Sequence, residues 1–119
     1  TTRDLTYVKD TCKGFIDVFK SEKLFGEITN IGANKEVSIA GLRDKIAALM
    51  CKEFKSICDE SRIRPDASEV LQLRCDNSKL LKYTDWTPKV SQEKGLLNVI
   101  NWMEDPINLD KFKANQYNV

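Results

Sequence analysis

The sequence contains no histidine, and this absence limits the chemistry open to the chain. Without histidine there is no Ser-His or Cys-His pair to activate a nucleophile, and no imidazole to complete a zinc site. Four cysteines are present, and no two of them form a Cys-x-x-Cys pair. Because Cys12, Cys51 and Cys58 have apolar neighbours, we expect buried thiols in a cytoplasmic, reducing setting, with a disulfide framework as the alternative.

Glycine is also scarce. The five glycines, at positions 14, 26, 32, 41 and 95, are too dispersed for a dinucleotide-binding Gly-x-Gly-x-x-Gly motif or a phosphate-binding P-loop. None of the three tyrosines is followed four positions later by lysine, so a Tyr-x-x-x-Lys hydride-transfer pair is missing. The sequence therefore predicts no catalytic, cofactor-binding or metal-binding residue on this chain.

Long apolar runs and a strong net charge are likewise absent. No stretch approaches the roughly 20 apolar residues that span a bilayer, and no signal-peptide pattern opens the chain. With a formal net charge of +1, neither nucleic acid nor a membrane is an expected partner. The length of 119 residues suits one compact domain. The chain begins at Thr1 without a methionine, as a fragment or a processed product would.

Apolar periodicity predicts four helices and about three short strands, which is an α/β or, as an isolated piece, an α+β fold. The first helix is expected over 10–21 with Asp10 as its N-cap. Its buried face is expected to consist of Cys12, Phe15, Ile16 and Phe19. We assign 1–105 to one domain and 106–119 to a polar tail.

The remaining elements follow from caps and turn residues. Ser38, Asp76 and Ser91 are predicted to cap three further helices, and Pro106 marks the end of the last. Strands are predicted over 27–31, 54–58 and 70–75, with an irregular loop over 62–69. The two tryptophans, Trp86 and Trp102, are expected to anchor packing rather than to stack on a sugar.

Arginines supply the one constellation that could bind an anion. Arg62, Arg64 and Arg74 surround a proline-containing loop, and Arg3 precedes the apolar stretch from Leu5. The guanidinium group presents a fixed fork of donors that matches phosphate oxygens. The alternative is that these are solvated surface arginines paired with acidic neighbours.

Five segments carry short motifs in a definite order. They are RDLTYVKD at 3–10, TNIG at 29–32, RIRP with SEV at 62–70, DNSK at 76–79, and WTP with GL between 86 and 96. Together they cover about 1–103, and their order resembles the last third of extended short-chain dehydrogenases that act on nucleotide sugars. The chain is most similar there to bacterial UDP-N-acetylglucosamine 4,6-dehydratases.

The resemblance implies the roles of individual residues. Arg3 and Arg64 match arginines that contact the nucleotide diphosphate in that family. Glu69 matches an acidic residue that contacts the ribose, and Arg62 is the alternative to Arg64. Other motif positions are expected to be structural, namely Asp4, Tyr7, Asp10, Asp76 and Ser78.

The same resemblance implies a larger parent enzyme. That enzyme would be an NAD-dependent nucleotide-sugar epimerase or dehydratase, a homodimer or larger, with a UDP-N-acetylhexosamine as the expected substrate. NAD and the catalytic residues would belong to an N-terminal Rossmann domain that precedes Thr1. The chain alone is expected to bind no cofactor and to be inactive. Two alternatives remain: a free-standing nucleotide-sugar-binding or regulatory module, and an unrelated interaction domain with coincidental motifs.

Overall fold

The computed structural model describes residues 1–57 and 70–112. Within these ranges the chain forms three short strands and five α-helices, which confirms the mixed α/β class. The strands are β1 Thr2–Asp4, β2 Glu36–Ser38 and β3 Gln72–Leu73. The helices are α1 Val8–Lys20, α2 Ile39–Met50, α3 Ser78–Tyr83, α4 Gln92–Met103 and α5 Pro106–Leu109. Among the described residues, none of the helices has the length and apolar character to cross a membrane.

The three strands form one small sheet with β1 in the centre. β1 runs antiparallel to β2, so that Arg3 lies opposite Val37. It runs parallel to β3, so that Arg3 also lies opposite Leu73. Arg3 is therefore the middle residue of the central strand, whereas the sequence placed it only before the apolar stretch from Leu5.

Two of the predicted helix caps are confirmed. The Ser38 hydroxyl accepts a hydrogen bond of 3.0 Å from the Gly41 amide, and the Ser91 hydroxyl accepts one of 3.2 Å from the Lys94 amide. Each hydroxyl satisfies one of the amide groups that the first turn of a helix leaves without a partner. Asp76 acts similarly one residue before the α3 cap position, because its carboxylate accepts from the Ser78 amide at 3.0 Å.

The predicted N-cap of the first helix is wrong. α1 begins at Val8 with Tyr7 in the cap position, and Asp10 lies inside the first turn. The Asp10 side chain is buried and instead accepts a 2.9 Å hydrogen bond from the Val90 amide. The carboxylate thus ties α1 to the turn before α4.

The predicted buried face of this helix is also wrong. Phe15, Ile16, Phe19 and Cys12 are exposed, whereas the inward face carries Asp10 and Gly14. Gly14 packs so closely that an added Cβ would lie 2.6 Å from Ile31 and 3.3 Å from the Trp86 ring nitrogen. A small inward face lets the helix approach its neighbours closely, and this leaves the large apolar side chains outside.

Two predicted strands are not present among the described residues. Residues 27–31 are irregular, and their polar groups form hydrogen bonds outside any strand: the Ile28 carbonyl accepts from the Lys79 ammonium at 3.0 Å, and the Asn30 side-chain amide donates to the Asp76 backbone carbonyl at 3.4 Å. Residues 54–57 are irregular and exposed, and Cys58 lies outside the described residues. The predicted loop over 62–69 also lies outside them. The extended segment over 70–75 is confirmed by β3.

The core is small and centres on Trp86. Leu24, Leu80 and Trp86 are buried, with Val18, Ile31 and Tyr83 packed against them. The Trp86 ring nitrogen donates to the Asp10 carbonyl at 2.9 Å, so the indole satisfies its polar group while it fills the core. The packing role of Trp86 is confirmed. Trp102 is only partly covered and packs edge-on against Phe112.

Candidate functional site

Arg3 is the one predicted binding residue that the structure describes. Its Nη1 donates to the Thr2 carbonyl at 2.7 Å and to the Val70 carbonyl at 2.8 Å. Val70 directly follows Glu69 in the sequence. The guanidinium group of Arg3 therefore lies beside the chain at the point where the arginine-containing segment rejoins the described structure.

The other predicted binding residues cannot be placed against Arg3. Arg62, Arg64 and Glu69 lie outside the described residues. Their convergence with Arg3 on one diphosphate stays a prediction, and so does the alternative of solvated surface arginines.

Asp4 holds the loops next to the sheet. Its Oδ2 accepts from the Asn34 amide at 2.8 Å and from the Cys75 amide at 3.1 Å. The segment around Gly32 presses against Cys75, where a Cβ on the glycine would lie 2.6 Å from the sulfur. A further hydrogen bond joins the same loops, since the Asn77 side-chain amide donates to the Gly32 carbonyl at 2.8 Å. The structural role expected for Asp4 is confirmed.

A cavity of about 500 Å³ lies beside these ties, lined by Asp4, Phe15, Asn30, Arg74, Cys75 and Asp76 among others. Arg74 is turned to Asn34, whose side-chain oxygen accepts from Nε at 2.6 Å. Because successive side chains of a strand point to opposite faces of the sheet, the Asp4 side chain lies on the opposite face from the Arg3 side chain. Arg74 and Arg3 thus serve different faces, and with two carboxylates nearby this cavity is poorly suited to a diphosphate.

Burial and the two carboxylates together shift the pKa of the Cys75 thiol in this cavity. Burial raises the pKa of the Cys75 thiol, and the charges of Asp4 and Asp76 raise it further. Hydrogen bonds from Ser78, first from its backbone amide and then from its hydroxyl, lower the pKa of Asp76. The Cys75 thiol therefore keeps its proton to a higher pH than an ordinary cysteine does.

The cysteines differ from the sequence expectation. Cys12 and Cys51 are exposed and Cys75 is half-buried, and all three of these described cysteines are free thiols. Cys12 belongs to the outward face of α1, and Cys51 ends α2 in the left-handed conformation at φ 50°. For Cys12, apolar neighbours in sequence predicted burial wrongly because those neighbours, such as Phe15 and Ile16, are themselves exposed.

A second cavity of about 480 Å³ collects three lysines that sequence reasoning did not single out. It is lined by Tyr7, Lys35, Lys45 and Lys89, with Glu36 as a counter-charge. Lys45 already donates to the Gln92 side chain at 2.5 Å. No sequence signal could have found this group, because the lysines are far apart in the chain and belong to different segments.

The connections from strands to helices contain no glycine among the described residues. Glycine-rich turns between a strand and a helix let the backbone approach a pyrophosphate. Here β1 is joined to α1 by residues 5–7, β2 runs directly into α2, and β3 is joined to α3 by residues 74–77, all without glycine. The part of the chain that the structure describes also holds no group of three or more metal-ligating side chains.

Known proteins resemble the chain in sequence. It is 32% identical to the UDP-glucuronate 4-epimerase of Thermodesulfobacterium geofontis over 92% of its own length and 32% of that enzyme. It is 32% identical to the UDP-N-acetyl-alpha-D-glucosaminuronate decarboxylase of Bacillus cytotoxicus over 87% of its length and 33% of that enzyme. It is 28% identical to the dTDP-D-glucose 4,6-dehydratase of Homo sapiens over 87% of its length and 30% of that enzyme. The chain is homologous to NAD-dependent nucleotide-sugar epimerases and dehydratases.

Solved structures share the fold of the chain. The UDP-glucuronic acid 4-epimerase of Bacillus cereus, solved in complex with NAD, matches with a TM-score of 0.71 and 24% identity over 96% of this chain and 33% of that one. The Bordetella bronchiseptica enzyme WbmF, solved with NAD+ and UDP, matches with a TM-score of 0.69 and 24% identity over 92% of this chain and 30% of that one. No protein-family model matches the chain. The chain spans about a third of the length of these curated relatives and solved structures.

Proposed function

We propose that the chain forms the nucleotide-sugar-binding, C-terminal portion of an NAD-dependent nucleotide-sugar epimerase or 4,6-dehydratase, and that it has no turnover by itself. The observation that carries this proposal is the match of 92% of the chain to only 32% of a UDP-glucuronate 4-epimerase. The absence of a glycine-rich loop and of a Tyr-x-x-x-Lys pair from the whole sequence supports the second half.

Arg3 is the proposed diphosphate contact. Its place in the middle of the central strand fixes the backbone on both sides, and its side chain is held at the Val70 carbonyl. A contact built on a paired strand positions a substrate more firmly than one on a loop alone. We propose that Arg64 supplies the second contact, with Arg62 as the alternative, and that Glu69 binds the ribose.

The proposed substrate is a UDP-sugar. The Thermodesulfobacterium relative is named for UDP-glucuronate, and the Bacillus cytotoxicus relative for a UDP-N-acetylated sugar acid. The Bordetella neighbour was solved with UDP bound. These names favour uridine nucleotides, and the second of them supports the N-acetylhexosamine branch that the sequence motifs resemble.

The work of this portion in the proposed reaction is positioning. NAD would supply the hydride acceptor for C4 of the sugar. The residues that hold NAD would belong to the part of the enzyme that this chain does not contain. The chain's own arginines would neutralise and orient the diphosphate, which fixes where the sugar ring lies. We propose further that 106–119 is a tail outside the binding portion 1–105, and that the complete enzyme is a cytoplasmic homodimer or larger.

A turnover assay tests the proposal. We expect the purified chain with NAD and UDP-N-acetylglucosamine to form no product, because the hydride acceptor has no site on it. Robust NAD-dependent conversion by these 119 residues would contradict the proposal. Half a cleft should bind UDP-sugars only in the millimolar range, which is a binding free energy of about −4 kcal/mol. Micromolar binding, measured by calorimetry and lost in Arg3→Ala, would instead favour a free-standing nucleotide-sugar-binding module.

A further inference from the structure

The outward side of α1 is a continuous apolar surface, here named the α1 stripe: Val8, Cys12, Phe15, Ile16 and Phe19. Four of these side chains are large and exposed: Val8 by 63%, Phe15 by 67%, Ile16 by 49% and Phe19 by 79%. Cys12 is exposed between them. Their spacing of three and four residues places them along one side of the helix over its full length.

The opposite side of α1 is already occupied. Gly14 lies against Ile31 and Trp86, and the Asp10 carbonyl and carboxylate accept hydrogen bonds from Trp86 and Val90. The helix therefore cannot rotate to bury the α1 stripe without breaking these contacts. In an ordinary surface helix the apolar side chains face the core, whereas in α1 they face away from it.

The α1 stripe also borders two cavities. Val8 lines an apolar cavity of about 310 Å³ formed with Tyr7, Val90, Leu96 and Val99 among others. Phe15 lines the cavity of about 500 Å³ near Asp4. Because the stripe runs between the two, a partner seated on it would cover apolar surface beyond the helix itself. Contiguous exposed apolar surfaces of this kind mark interaction sites.

We infer that the α1 stripe is the surface on which the NAD-binding portion of the enzyme packs. This inference rests on the proposed function, which makes the chain a third of a larger enzyme. The relatives are about three times as long as the stretch that matches, so a partner twice the size of this chain has to pack against it somewhere. The α1 stripe supplies the large apolar anchors that such a contact requires.

The test mixes the purified chain with the part of the Thermodesulfobacterium geofontis epimerase that it does not match, produced as a separate chain. We expect a one-to-one complex by size-exclusion chromatography with light scattering, without any nucleotide sugar present. Alkylation of Cys12 by iodoacetamide should slow at least about tenfold in the complex, while Cys51 at the end of α2 keeps its rate.

Variants assign the contact to the stripe. Phe19→Ser and Ile16→Ser should each weaken the complex at least about tenfold, because each removes a large apolar anchor. Ile107→Ser is the matched control, since Ile107 is 72% exposed on a different helix and should leave the affinity unchanged. Circular dichroism of each variant, unchanged from the parent chain, separates lost contact from lost folding.

Three results would overturn the inference: no complex, a complex in which Cys12 stays as reactive as in the free chain, or a dimer of the chain alone that Phe19→Ser dissolves. The proposed function is tested separately, by titrating the chain with UDP, and it fails if the chain binds no UDP. A stripe-dependent complex with a chain that binds no UDP would keep the docking surface and remove the binding role.

Discussion

At the scale of single residues, one carboxylate oxygen of Asp4 holds two loops. The Asn34 and Cys75 amides both donate to it, and the two loops meet where Gly32 presses on Cys75. A residue that holds loops together in this way can belong to a family motif without contacting a ligand. A motif can therefore reveal a relationship and still say little about the binding site.

Asp4→Ala should destabilise the fold. The change leaves two backbone amides without their charged acceptor, at a cost of about 2–4 kcal/mol. Urea unfolding followed by the fluorescence of buried Trp86 measures the free energy of unfolding. Asp44→Ala is the control, because Asp44 is exposed and forms an exposed ion pair with Arg43, and it should change that free energy by less than about 0.5 kcal/mol. Equal effects of the two variants would show that Asp4 is not a tie.

Cys75 should react more slowly than Cys51 with iodoacetamide at pH 8. Burial, and then the charges of Asp4 and Asp76, raise the pKa of the Cys75 thiol, so less of the reactive thiolate forms. Asp76→Asn removes one of these charges and should lower the pKa of Cys75 and speed its alkylation. Peptide mass spectrometry over a pH series measures both rates, and coincident pH profiles for Cys75 and Cys51 would contradict the account.

The same shift has a consequence for stability with a definite sign. The folded chain keeps the Cys75 proton to a higher pH than the unfolded chain does. Between the ordinary cysteine pKa and the raised pKa of the folded chain, the unfolded state therefore binds fewer protons than the folded state. As pH rises through this range, Cys75 lowers the free energy of unfolding.

At the scale of elements, local signals predicted helix starts best where a serine hydroxyl could cap an otherwise ordinary first turn. Ser38 and Ser91 do so, since each hydroxyl accepts from the backbone amide three residues later. Asp10 failed as a cap because Val90, eighty residues away, donates to its carboxylate. The strand expected over 27–31 failed for a similar reason, since residues far along the chain bind that segment: Lys79 donates to the Ile28 carbonyl, and the Asp76 backbone carbonyl accepts from the Asn30 side chain. No sequence pattern contains contacts over such separations.

Ser91→Ala should shorten or destabilise α4. The variant loses the acceptor for the Lys94 amide, at a cost of about 1 kcal/mol. Ser91→Asp keeps an acceptor and places a negative charge at the helix N-terminus, so it should retain the stability of the parent chain. Thermal unfolding by circular dichroism compares the three, and an alanine variant as stable as the aspartate variant would contradict the capping role.

At the scale of the whole molecule, the fold class and the homology could be predicted from the sequence, whereas the exposed face of α1 could not. Apolar periodicity identifies which residues avoid water but not what covers them. Phe15 and Phe19 satisfied the rule for a buried face and are exposed, because the chain's own core takes the opposite side of the helix at Gly14. The binding site stays a prediction, since only Arg3 among its expected residues is described and those at 62, 64 and 69 lie outside the described part of the chain.

A UDP titration followed by amide shifts in a nitrogen-15 spectrum tests the central claim most directly. We expect shifts in residues 2–4 and 70–73, around Arg3, and a dissociation constant in the millimolar range, which corresponds to a binding free energy of about −4 kcal/mol. Arg3→Ala should abolish these shifts, while Arg43→Ala, which changes an exposed arginine on α2, should preserve them. No shifts at saturating UDP, or shifts that survive Arg3→Ala unchanged, would contradict the account.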